Sequence, residues 1–532
     1  MKDLMKKTLQ IIKNLKLYLI FALLLSGSIH SINLDNNRTD PFEGLDDFEG
    51  VVYLKIGNSV CSGVLINHRS ILTAAHCLSN SVKAKIFIGK SIDDEAISLD
   101  TTSFIKLPES RRYSTFNGAS YDLALISLKE PLMSITPYEL NTDLPSLNSK
   151  VYISGFGLHG TGSLPDLSFD KNKRWGTNIL SIISDEDDIN GISTNNSSDK
   201  IILGFYFDEN VGQFESMISL GDSGSPLLIK DNGQFLVTGI ASWIKKNPET
   251  QNRGYGSSAG FASIQQNLQW INDTNPLRSV SSVEDGEWTL NSNWSDTTSP
   301  SNSIPIDSNY NSESAKYYSV NILHSINLND KIQIDELEIS REGNLFIENE
   351  ADLEVLLDIN INSGSLKNEN ILRGRNLIFV DGIFENLHNT FVDNSFIATN
   401  TSIFNEGTVY ANKVQVDQGT VYGTGVFNSS EFFNKGTINP GSEINLFGTL
   451  TFEGNLINEG TIELDINKSQ SDNLILDELT MGGLLAIKPA INLYSGNTSY
   501  ALLGFQKKNG LEFDNFEIDR TNLGRLRHEL VY

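Results

Sequence analysis

Three near-identical pentapeptides, Asn405-Glu406-Gly407-Thr408-Val409, Asn434-Lys435-Gly436-Thr437-Ile438 and Asn458-Glu459-Gly460-Thr461-Ile462, constrain the fold of this chain more than any other feature. Each joins a turn to the start of a strand. Gly407, Gly419, Gly436, Gly448 and Gly460 are spaced by 12, 17, 12 and 12 residues. A unit this short cannot bury its apolar face alone and must do so against its neighbours, which is the logic of a coiled sheet. A parallel β-helix is therefore expected for residues 315–532, with a β-sandwich as the alternative. The stretch 276–314 is rich in Ser, Asn, Asp and Thr and reads as a linker, part of which packs as a cap through Trp288 and Trp294.

The repeats leave more than half of the 532 residues unexplained, so a separate domain must precede them. The net charge of -26 and the absence of a long basic stretch beyond residue 16 argue against a nucleic-acid partner. Residues 1–31 have the order of a secretory signal: Lys2, Lys6, Lys7, Lys13 and Lys16, the apolar run Leu17 to Leu25, then Ser26-Gly27-Ser28. That run is too short to span a bilayer comfortably, so cleavage near Ser28 to Ser31 is expected, with the product extracellular, periplasmic or at the cell surface. Cys61 and Cys77 are the only cysteines. In an exported chain they suit one disulfide worth ~3 kcal/mol, two buried thiols being the alternative.

Between Val51 and Ile126 the chain reads as short apolar strands, Val51–Ile56, Val64–Ile66 and Ser70–Thr73, broken by the turn pairs Gly57-Asn58 and Asn67-His68. This pattern predicts an antiparallel barrel. Thr73-Ala74-Ala75-His76-Cys77 ends one strand, Tyr121-Asp122-Leu123-Ala124-Leu125 begins another, and Gly221-Asp222-Ser223-Gly224-Ser225-Pro226 forms a tight loop. A serine hydroxyl is a poor nucleophile without a base, an orienting acid and a site for the developing oxyanion. With Cys61-Ser62-Gly63, these motifs appear in the order His, Asp, Ser at intervals of 46 and 101 residues. Together they closely resemble the chymotrypsin-like (trypsin-like) serine proteases across residues 32–275.

The resemblance implies an all-β, two-barrel domain in which Ser223 attacks the scissile carbonyl, His76 takes its proton and Asp122 orients the imidazole. It also implies an oxyanion hole from the N–H groups of Gly221 and Ser223, and a Cys61–Cys77 bridge that ties down the histidine loop. His68, His159, His324, His388 and His528 read as ordinary surface or core residues. Ser242-Trp243 resembles the segment that pairs with an extended substrate. Ile244 stands where the family usually has glycine and should narrow the primary pocket. Met217 replaces the aspartate of the pocket floor, and Gly260 is the expected opposite wall. An unpaired buried charge is costly, so cleavage after small or medium apolar residues is expected rather than after Arg or Lys.

Asp222 resembles the family's internal aspartate, which pairs in many members with an amino terminus released by cleavage. No Ile-Val-Gly-Gly-like sequence occurs here. Either another terminus inserts, after processing near Arg38, or Asp222 is held differently. Apolar residues at 264, 268 and 271 predict a closing helix.

Gly436–Ser442, Gly448–Asn455 and Asp472–Leu476 resemble the later passenger part of bacterial autotransporters, although the residues up to Tyr532 leave no room for the membrane barrel those proteins carry. The tail then serves as spacer, adhesin-like surface or recruiting module, with a cell-surface or extracellular partner. Asp93-Asp94-Glu95 and Asp185-Glu186-Asp187-Asp188 lack EF-hand spacing and read as solvated loops, so no metal or cofactor is expected. The chain as a whole is expected to be a secreted serine endopeptidase acting on proteins or peptides through an acyl-enzyme. The alternative is a catalytically silent surface-binding protein that uses its β-helix.

Overall fold

The structure, a computed structural model, describes residues 32–519 except 39, 41–42, 58, 79–83, 94–97, 108–120, 186–200, 210, 297–303, 308–314, 443–445, 491–498 and 511. The expected signal segment, His528 and most of both acidic clusters lie outside the described residues. The chain divides into two compact units, one ending at Asn275 and the other beginning at Pro276.

In the first unit the strands are β1 (Ile32–Leu34), β2 (Val51–Ile56), β3 (Ser59–Asn67), β4 (Ser70–Thr73), β5 (Ala84–Phe87), β6 (Ser98–Lys106), β7 (Ala124–Leu128) and β8 (Glu139–Leu140). They continue with β9 (Lys150–Gly155), β10 (His159–Thr161), β11 (Arg174–Ile179), β12 (Ile182–Asp185), β13 (Ile201–Tyr206), β14 (Ser216–Met217), β15 (Pro226–Asp231), β16 (Gln234–Lys245) and β17 (Ser258–Ser263). Strands β2-β3-β4-β7-β6-β5 close into a barrel, as the turn pairs predict. A second sheet runs β11-β9-β15-β16-β17-β13-β12, and β1 lies between β10 and β14 in a third. Asn232 and Gly233, both at positive φ, make the two-residue hairpin between β15 and β16 that suits strand twist. Each barrel-like sheet has its own core: Val52, Leu54, Ile71 and Leu125 in the first, Val151, Ile153, Phe205 and Phe261 in the second.

Helix α1 (Ile264–Thr274) follows β17 directly. Ile264 and Ile271 are buried as the periodicity predicts, but Leu268 is only half-buried. Asn267 takes the inward position instead, because its amide donates to the Ser263 carbonyl at 2.8 Å.

The second unit is a two-sheet coil of parallel strands, with one antiparallel pair of strands, Leu277–Ser282 with Trp294–Asp296, among the described residues. Ile371, Asn389, Thr408 and Val426 are successive partners in one sheet, and Ser402, Thr420, Thr437 and Thr461 in the other. Coiling starts earlier than the composition suggests. Leu277–Ser282 already pairs in parallel with Tyr317–Ile322, so the segment expected to be a linker supplies the first strand. Trp288 and Trp294 are fully buried there, their indole N–H groups donating to the carbonyls of Pro305 and Trp288 at 3.0 and 2.8 Å.

The repeated Asn and Gly have separate physical reasons. Buried Asn368 donates to Asn386 at 2.9 Å, Asn386 to Asn405 at 2.8 Å, and Asn434 to Asn458 at 2.7 Å, so each amide is satisfied by the coil above. A Cβ at Gly436 would sit 2.2 Å from the Gly419 carbonyl oxygen, and one at Gly460 2.2 Å from that of Gly436. The ladder steps are 18, 19 and 24 residues, so each 12-residue interval lies within one coil and joins two of its corners.

Candidate active site

Strand β4 runs into a short 3-10 turn, Ala75–Leu78, that carries His76 and Cys77, and Asp122 sits just before the neighbouring strand β7. Asp122 is fully buried. Its Oδ1 accepts the His76 backbone N–H at 2.9 Å, and its Oδ2 accepts His76 Nδ1 at 2.6 Å and Ser242 Oγ at 2.7 Å. A carboxylate gripping Nδ1 keeps the proton on that nitrogen and leaves Nε2 as the acceptor of the ring. Ser242 reaches Asp122 because β16 bulges against β17 between Ala241 and Trp243, which turns this residue out of the ladder.

The loop 219–225 is held from several sides. Ser62 N–H donates to the Ser223 carbonyl at 2.9 Å, and Gly224 N–H to the Ala241 carbonyl at 2.9 Å. Cys61 and Cys77 form a disulfide, and the Cys77 sulfur lies 3.7 Å from the Ser223 carbonyl. Gly224 has φ of 83°, and a Cβ there would meet Thr73 Oγ1 at 2.1 Å, so only glycine lets the loop pack this closely. The Leu220 carbonyl accepts Leu158 N–H at 2.7 Å and the Asp222 carbonyl accepts Ser225 N–H at 2.9 Å. A trans peptide aims its N–H opposite to its C=O. The N–H groups of Gly221 and Ser223 are thus turned away from those partners and take part in none of the loop's own hydrogen bonds.

Asp222 is fully buried, with Oδ1 accepting Gly157 N–H at 2.7 Å and Oδ2 accepting Ser219 N–H at 2.8 Å. Burial pushes its carboxyl up to about 7 against the pull of those two N–H groups. Arg38 is an unsuitable processing point. It is buried, its guanidinium lies 4.7 Å from the Trp175 and Phe214 rings, and it donates to the Trp175 and Asp40 carbonyls. The segment that reaches the Asp222 neighbourhood is β1, with Ile32 beside His159 and Asn33 beside Met217.

A cavity of about 130 Å³ lies beside Ser223 and Ser242, walled by Ile218, Trp243, Ile244 and Arg253. Two residues expected in its wall stand elsewhere. Met217 is fully buried in the core with Ile32 and Phe261, its backbone paired with Asn33, and does not line the cavity. Gly260 lies under the Trp243 indole, where a Cβ would meet the ring at 2.2 Å, and Ala259 is the residue opposite Ile244. For Gly260 the cause is the bulge at Ser242, which shifts the β16–β17 register by one residue and is invisible in the sequence pattern, and for Met217 it is the pairing with β1. Arg253 escapes the sequence reading because it belongs to a loop with no periodicity.

Residues 41–271 match the trypsin family model. The chain is 29% identical over 209 residues to a snake venom serine protease of Bothrops alternatus, covering 37% of this chain and 80% of that protein. It is 25% identical over 240 residues to kallikrein-1E2 of Equus caballus, covering 41% and 81%, and 26% identical over 238 residues to the hepatocyte growth factor activator serine protease of Mus musculus, covering 41% and 33%. Residues 41–271 are thus a trypsin-like serine protease domain, and the chain is a serine-type endopeptidase.

Proposed function

We propose that Ser223, His76 and Asp122 form the catalytic triad and that the N–H groups of Gly221 and Ser223 form the oxyanion hole. The observation that carries this is the buried Asp122 carboxylate gripping both His76 Nδ1 and Ser242 Oγ, in a cleft that Ser242 and Ser223 line together. His76 Nε2 takes the Ser223 proton as Oγ adds to the carbonyl, and returns it to the leaving amine as the acyl-enzyme forms. Water then repeats the cycle on the ester. The two N–H groups, uncommitted within the loop, receive the oxyanion, each worth ~3 kcal/mol in the transition state.

The pocket supports a small primary side chain. Ile244 faces Ala259 across the strands, and no carboxylate among the described residues stands on the cavity wall to receive Arg or Lys. Ile244→Gly should shift cleavage toward larger residues in peptide-library profiling, and an unchanged profile would refute this assignment.

Residues 1–31 direct export, for which the Cys61–Cys77 disulfide is the structural support. Their removal leaves Ile32 as the amino terminus. Ile32 has φ of 60°, a strained value for a β-branched residue that ceases to exist once the preceding residue is cut away. The freed ammonium emerges beside the strand that ends in the Asp222 loop, so signal removal itself supplies the partner of that buried carboxylate. The coil serves as an accessory module toward a surface or extracellular partner. Labelling with a serine-directed phosphonate, followed by mass spectrometry, tests the triad. The label should fall on Ser223, and a protein that neither labels nor cleaves casein would instead be a binding protein.

A further inference from the structure

We propose that Arg253 makes the primary pocket a receptor for a small acidic side chain, aspartate at the residue before the cleaved bond. The proposal rests on the triad assignment and revises the apolar preference expected from the sequence. The cavity of about 130 Å³ accepts a short side chain, and Arg253 is the one charged group on its wall among the described residues. The guanidinium is aimed from behind. Its Nη1 donates to Asp166 Oδ2 at 2.8 Å, while Asp166 Oδ1 takes the Ser219 hydroxyl and, at 3.3 Å, the Asn33 amide. Asp166 therefore divides its charge among three donors and acts as a fixed anchor rather than a full neutraliser.

Arginine carries five N–H donors in a rigid fork. One is spent on Asp166, and the side chain keeps 23% of its surface exposed. The remaining donors of the fork have no hydrogen-bond partner among the described residues, and Arg253 lines the cavity. A carboxylate entering there meets a charge-assisted, fork-shaped donor set. Lys245 and Lys246, exposed and directly following the pocket residue Ile244, add to the positive charge of this region. An asparagine of equal size gains only neutral hydrogen bonds, a glutamate carries its carboxylate one methylene beyond the position an aspartate reaches, and a lysine is repelled.

The test uses the full-length protein, its active sites counted with the phosphonate, and peptides that differ only in Asp, Asn, Glu or Ala before the cleaved bond. The expected kcat/KM favours Asp over Asn by about tenfold, the difference between a charge-assisted and a neutral hydrogen bond, with Glu slower than Asp. In Arg253→Gln the Asp-to-Asn ratio should fall to about one, while Arg253→Lys should keep part of it. A mere latch between loops would slow all four peptides alike and leave the ratio intact, which overturns the proposal. So does a wild-type ratio at or below one, a result that needs no variant. Cleavage after Ala with normal labelling but none after Asp refutes the role of Arg253 alone, whereas absent labelling removes the triad reading and this inference together.

Discussion

The protease unit and the coil solve the problem of buried polar groups in opposite ways. In the first, Asp122 is satisfied by His76 and Ser242, which lie 46 and 120 residues away in the chain. In the second, buried Asn368, Asn386 and Asn434 each donate to a counterpart asparagine 18 to 24 residues on. The contrast teaches where each region is vulnerable. A unique constellation can be lost at one atom, while a repeated ladder loses one step and keeps its neighbours.

The largest effect tests that contrast directly. Ser223→Ala should lower kcat on casein by about a millionfold without changing the melting temperature, whereas Asn405→Ala should destabilise the coil and leave active-site labelling intact. Equal loss of labelling in both variants would break the distinction. Next in size is the disulfide. Replacing Cys61 and Cys77 together with alanine should cost ~3 kcal/mol in urea unfolding of the protease unit, and a change below about 1 kcal/mol would mean that the surrounding loop packing already does the work. In the coil, Gly436→Ala pushes a methyl group against the Gly419 carbonyl. A loss of ~2 kcal/mol is expected by calorimetry, in the upper part of the usual range for point substitutions, and an unchanged coil transition would show that the corners are softer than their spacing implies.

The smallest and most specific prediction concerns pH. Burial raises the Asp222 and Glu215 carboxyls to about 7 and lowers the Lys173 ammonium to about 7. A carboxyl raised in the folded state stabilises below its unfolded value, and that contribution is lost as pH rises through 7. A lysine lowered in the folded state destabilises below 7, and the cost disappears as pH rises toward its ordinary 10.5. The melting temperature of the protease unit in the unprocessed chain should therefore pass through a minimum near neutrality. Glu215→Gln should flatten the acid limb and Lys173→Met the alkaline one. Release of Ile32 should flatten the acid limb as well, because an ammonium beside Asp222 favours its ionised form. A monotonic profile in all four proteins would refute the assignment.

Much of both units is legible in one dimension, for different reasons. The Asn-x-Gly-Thr units announce a coil because stacking forces the same residue types into the same corner at every turn. The motif order singles out His76, Asp122 and the Ser223 loop because this chemistry demands those side chains whatever their surroundings. The pocket is less legible. Met217 and Gly260 follow from the family's pattern, which does not record that Met217 pairs with Asn33 of β1 or that Ser242 bulges out and slips the β16–β17 register by one. The composition of 276–314 likewise suggests a linker, yet Leu277–Ser282 finds a parallel partner in Tyr317–Ile322 that no local pattern reveals.

The sequence by itself determined the coil, the barrel strands, the cysteine pair and the order of His76, Asp122 and Ser223, because each is encoded in residue type or in spacing along the chain. Only the tertiary structure decided that Ala259 rather than Gly260 faces Ile244, that Arg38 is sealed between aromatic rings while β1 reaches the Asp222 loop, and that Arg253 stands at the cavity. These depend on a bulge, a stacking contact and an ion pair with Asp166, 87 residues away. Such contacts are set by which strands meet, and the chain does not record that in any local pattern.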